Sequence, residues 1–114
     1  MYKDPKQLLL YMLEECSVIE LTKANGLTYE KLMGDEVIKR AIVKSLENIG
    51  EAGSKISVET RIEWGEIKWK DVIGMRQRLA HDYWGINYDI VWNVIQHKIP
   101  ELKVAIEKIV NEKS

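Results

Sequence analysis

Between Gly74 and Gly85 the chain reads GMRQRLAHDYWG, and Arg76, Arg78, His81 and Tyr83 are the residues in it that can do chemistry. A histidine exchanges protons near neutral pH, whereas an arginine stays charged and offers a planar fork of donors that fits phosphate. Their combination suits proton transfer beside a phosphate group. Two histidines sixteen residues apart, His81 and His97, and one cysteine give no metal-ligand spacing, and no glycine loop that would cradle phosphate is present. Neither a metal nor another cofactor is expected.

These residues must be positioned by a small frame. With 114 residues, 46% hydrophobic and 31% charged, the chain fits one globular domain over 1–114 and leaves no length for a separate regulatory unit. A formal net charge of −1 excludes binding of nucleic acid by bulk positive charge. A local patch remains, because Arg61 to Arg78 holds five basic residues against three acidic ones. Lys70 and Arg78 are its candidates for steering a nucleic acid, although a solvated charged face explains both as well. The lone Cys16 cannot form an internal disulfide, and its apolar neighbours mark it as a core residue. No signal peptide or apolar run near ~18 residues is present, so no membrane association and a cytoplasmic location are expected.

Apolar periodicity predicts an all-α fold, an antiparallel bundle of four long helices with a short fifth allowed at Thr28 to Met33. Asp4-Pro5 opens the first helix and Asn25-Gly26 closes it. Asp35 caps the second, whose stripe runs from Ile38 to Ala52, with Gly50 and Gly53 permitting close approach of a neighbour. The stretch from Gly53 to Ile67 reads as loop, Trp69 to about Ala80 as the third helix, and Asn87 caps a last helix kinked or restarted at Pro100.

Taking about 100° per residue from Val72, Met75 lies near −60° and Leu79 near −20°, while Arg76 falls near 40°, inside the apolar arc. Arg78, at about −120°, points away from it. A charge on that face calls for a carboxylate such as Glu51 or Asp82, for a phosphate, for a facing subunit, or for snorkelling to water. On an unbroken helix His81 lies about 140° around and about 7.5 Å along from Arg76, so the two converge only if the helix ends near Ala80.

The segment G-M-R-x-x-x-A-H-D-Y resembles the HEPN superfamily, and in particular the HepT-like toxins, in the arginine, the following histidine and the tyrosine two residues on. Ile49-Gly50-Glu51-Ala52, Trp69 seven residues before the arginine, and Ile90-Val91-Trp92 extend the resemblance over nearly the whole chain. Gln77 stands where that family usually has asparagine. The resemblance implies a metal-independent endoribonuclease of a type VII-like toxin-antitoxin pair, with Arg76 and His81 catalytic in a homodimer cleft. It further implies that a nucleotidyltransferase antitoxin places AMP on Tyr83. Gln77, Arg78, Asp82 and Glu51 are expected to support the site or touch RNA. The alternative is a non-catalytic HEPN module that binds a nucleotidyltransferase or a nucleotide, and Gln77 is the residue that favours it.

Overall fold

The computed structural model describes residues 4–81 and 85–113, with His81 and Lys113 described through their backbone alone. The architecture is all-α, as the periodicity predicts. Helix α1 (Pro5–Ala24) begins where Asp4 accepts a hydrogen bond from the Lys6 N–H, with Pro5 in the first turn. A short α2 (Tyr29–Gly34) follows, capped by Thr28, and α3 (Glu36–Ser54) is capped by Asp35, which accepts from Val37 and Ile38 N–H. Among the described residues, α1 packs on both α3 and α8 (Ile99–Lys113). Leu9, Met12, Cys16 and Ile19 meet Leu46, Ile49, Ile106 and Ile109 in the apolar core. Burial pushes the Cys16 thiol up to about 12, which fits its expected role as an inert core residue.

Three expectations are corrected in detail. The segment expected as loop contains α4 (Val58–Glu63), started by Ser57, which accepts from the Thr60 N–H. It buries none of its own residues, so apolar periodicity could not reveal it. The third long helix is broken at Gly74 into α5 (Trp69–Ile73) and α6 (Met75–Leu79). Gly74, at φ −81° and ψ 10°, leaves the helical path, and its N–H bonds the Lys70 and Val72 carbonyls. After Leu79 the chain turns extended, and Ala80–His81 (β1) pairs antiparallel with Gly85–Ile86 (β2), a two-residue bridge too short to leave an alternating pattern.

The last rod runs as α7 (Tyr88–Asn93), a π turn at Val94–Lys98 and then α8. Pro100 is absorbed here. The Ile99 N–H donates to the Val94 carbonyl, five residues back, and Pro100 has no N–H to offer. Lys23 Nζ donates to the Ile95 carbonyl at 2.7 Å and to Glu20 at 2.8 Å, supplying from α1 a donor for the widened turn.

The expected close approach at Gly50 and Gly53 is present. A Cβ at Gly50 would stand 2.9 Å from the Val72 carbonyl and 3.2 Å from Met75 Cβ, and one at Gly53 would meet Val72 Cγ1 at 2.9 Å. α5 and α6 therefore lie on α3 at a distance that a side chain would not allow. Among the described residues no helix is long and apolar enough to cross a membrane.

Candidate active site

Helix α6 is fixed by Met75 and Leu79, four residues apart and both buried, and leaves Arg76, Gln77 and Arg78 exposed. Of the readings of the Arg76 face, burial in this chain's own core does not hold, since the side chain is 79% exposed. Val72, Met75 and Leu79 are buried as the count places them, so the phase carries across Gly74, where the Arg78 N–H still reaches the Gly74 carbonyl; the long arginine stem takes its charge to water from the edge of that face. Arg78 is exposed as expected and lines a crevice with Met75, Val94, Lys98 and Leu102. Lys70 and His97 are exposed too.

Of the two carboxylates expected for Arg76, Glu51 is not its partner and Asp82 lies outside the described residues. The Arg76 Nε lies 4.0 Å from Oε2 of Glu47 on α3. Glu51, one turn further, is exposed, pairs with Lys55 along its own helix at 4.0 Å, and lines a groove with Leu8, Tyr11 and Asn48 on the α1 side. Glu47 escaped the sequence reading because a charge beside an apolar stripe looks like any solvated helix flank. Its place three residues before Gly50, on the side where α6 comes closest, is the signal that could have found it.

The end of α6 at Leu79 meets the condition that the sequence set for Arg76 and His81 to work together. Ala80 at φ −66° and ψ 137° starts the reversal, Ala80 pairs with Ile86 and His81 with Gly85, and the Asn87 N–H donates to the Leu79 carbonyl at 2.8 Å. Gly85, at φ +106°, allows the return, because that region is costly for any residue with a Cβ. The expectations for Asp82 and Tyr83 and for the side chain of His81 lie outside the described residues.

The strand returning from the bridge enters α7 through Asn87, which accepts from Asp89 and Ile90 N–H. Three contacts then tie α7 to its neighbours. The Tyr29 hydroxyl donates to Asp89 at 2.6 Å, which holds the phenol above its ordinary pKa, while its ring meets Trp92 edge to face at 6.0 Å. Lys39 Nζ sits 4.8 Å from the Tyr88 ring centre. Trp64 is buried in the core, and Trp69 is half-buried with its indole N–H on the Trp64 carbonyl at 3.0 Å. Among the described residues no group of His, Cys, Asp and Glu could hold a metal ion.

Fold and motif together define a helical domain of the HEPN type. The chain matches the family model described as "Ribonuclease HepT-like" over residues 12–109, and it belongs to that HepT-like ribonuclease family. It is 37% identical over 110 residues to "Putative RNase TTE0752" of Caldanaerobacter subterraneus subsp. tengcongensis, a match covering 96% of this chain and 97% of that protein. It is 38% identical over 111 residues to "Putative RNase MJ1216" of Methanocaldococcus jannaschii, covering 96% and 90%. "Probable ribonuclease HepT" of Thermococcus cleftensis is 30% identical over 101 residues, covering 87% and 92%. No solved structure matches this chain.

Proposed function

We propose that this chain is a metal-independent endoribonuclease that acts as the toxin of a HepT-type toxin-antitoxin pair in the cytoplasm. The observation that carries the reading is the end of α6 at Leu79: it leaves Arg76 exposed on a short helix and starts the reversal at Ala80–His81, within a chain of the HepT-like ribonuclease family.

In the proposed reaction the ribose 2′-OH of RNA attacks the adjacent phosphorus, its proton passes to a base, and the bond to the leaving 5′-oxygen breaks as an acid protonates that oxygen. The products are a 2′,3′-cyclic phosphate and a 5′-hydroxyl. His81 supplies proton transfer, and Arg76 stabilises the charge that gathers on the phosphorane oxygens. One histidine cannot easily serve as base and acid in the same step. A twofold dimer brings two copies of each residue into one cleft, and an exposed Arg76 is compatible with that assembly. AMP placed on Tyr83 by a nucleotidyltransferase antitoxin would set a bulky anion beside the arginine and exclude RNA phosphates by charge and volume. Gln77, Arg78, Asp82 and Glu51 are read as supporting or RNA-contacting residues.

The test is cleavage of single-stranded RNA by the purified chain in excess chelator. We expect Arg76→Ala and His81→Ala each to reduce cleavage by at least about 10²-fold. Cleavage at the wild-type rate in both variants overturns the assignment.

A further inference from the structure

We infer that Glu47 is a positioning residue for Arg76: its carboxylate engages the Nε edge of the guanidinium and leaves the Nη edge free to receive an RNA phosphate. This rests on the ribonuclease reading above. The ion pair is asymmetric, with Glu47 25% exposed and Arg76 79% exposed, so the anchor sits in the protein and the charge it holds sits in solvent.

The anchor is placed by packing. Glu47 lies three residues before Gly50, on the flank of α3 that faces α6, and at Gly50 the Met75 Cβ comes within 3.2 Å of where a side chain would start. Arg76 follows Met75 directly, so the close approach of the two helices brings its Nε to 4.0 Å from the Glu47 carboxylate. A longer separation would put the carboxylate out of reach.

The geometry also separates positioning from capture. The contact is made through Nε at 4.0 Å, which is not a two-point clasp, so the guanidinium is biased in direction while its remaining donors stay available. A free arginine on an exposed helix samples many rotamers, and only those that aim at the phosphorane oxygens contribute to the chemical step. Glu51 cannot substitute, since it pairs with Lys55 on its own helix.

Steady-state cleavage of single-stranded RNA by the full chain, in chelator, tests this with Glu47→Ala, Glu47→Gln, Arg76→Lys and Glu47→Ala/Arg76→Lys. We expect Glu47→Ala to lower kcat about tenfold while KM moves less than about twofold and the Tm holds, because the interaction acts on orientation in the transition state. Glu47→Gln, which keeps an acceptor for Nε, should recover part of the loss. On the Arg76→Lys background, which has no Nε edge, Glu47→Ala should cost nothing further. A second readout does not depend on activity: the Arg76 Nε signal in nitrogen-15 spectra should shift between the wild type and Glu47→Ala, and an unchanged signal counts against the contact. Wild-type kcat in Glu47→Ala, or an equal loss on both backgrounds, overturns the positioning role and leaves the ribonuclease reading standing. Wild-type protein that leaves RNA intact overturns both.

Discussion

The frame built by α1, α3 and α8 and the segment from Gly74 to Asn87 are held by different means. In the frame, buried side chains such as Leu9, Met12, Leu46, Ile49, Ile106 and Ile109 interlock on three long helices. In the described part of the segment, Met75 and Leu79 alone anchor a five-residue helix, and a two-residue bridge with one Asn87–Leu79 hydrogen bond returns the chain. Stability is therefore concentrated where no chemistry is proposed, and the candidate site is carried on a thin support whose polar face points to water. The two functions should be separable by mutation.

The largest separation is expected from Arg76→Ala, which should remove RNA cleavage while the unfolding midpoint stays near that of the wild type, because the side chain is 79% exposed. A midpoint that falls with the activity would erase the distinction. Leu46→Ala probes the other side. Its side chain is fully buried, so urea unfolding should show a loss of about 2–5 kcal/mol, with cleavage per folded molecule retained.

Lys23→Met sharpens the comparison within the frame. Lys23, 17% exposed, donates to the Ile95 carbonyl, and removing it should cost about 1–3 kcal/mol by leaving that acceptor unmatched. The smallest effect belongs to Lys68 and Glu101, which pair at 3.0 Å between the start of α5 and α8. The Lys68 ammonium holds the Glu101 carboxyl below its ordinary 4.5, and Glu101 holds Lys68 above its ordinary 10.5. A lowered acid pKa stabilises above 4.5 and the benefit goes as pH falls through the lowered value; a raised lysine pKa stabilises below 10.5 and the benefit goes as pH rises through the raised one. Glu101→Gln should thus lower the midpoint slightly at neutral pH and leave it unchanged in strong acid.

Much of the frame was legible because capping chemistry and apolar spacing are local. Asp4-Pro5, Asp35 and Asn87 each mark a helix start that the structure shows. The pair Gly50 and Gly53 correctly announced a close neighbour, since two glycines beside an apolar stripe leave room for one. The candidate site was legible in type and less so in placement. Arg76 was counted onto the face of Val72, Met75 and Leu79, which are buried as expected, but a helical count does not show that a long charged side chain at the edge of that face reaches out to water. Its partner Glu47 depends on how α6 lies on α3, a tertiary relation to which its place three residues before Gly50 was the single local pointer. For α4, the absence of any buried residue removed the periodic signal altogether.

The π turn at Val94–Lys98 gives the last rod two allegiances. Its first part, α7, packs against α2 and α6, and its last part, α8, packs against α1. An extra residue per turn re-phases the helix between them, so one uninterrupted backbone can show its apolar side to different clients at its two ends. Removing one residue from the turn would rotate α7 by about 100° relative to α8 and swing its apolar side away from α6. The register of a helix that carries no proposed catalytic group would then decide whether the arginine's platform has anything to rest on.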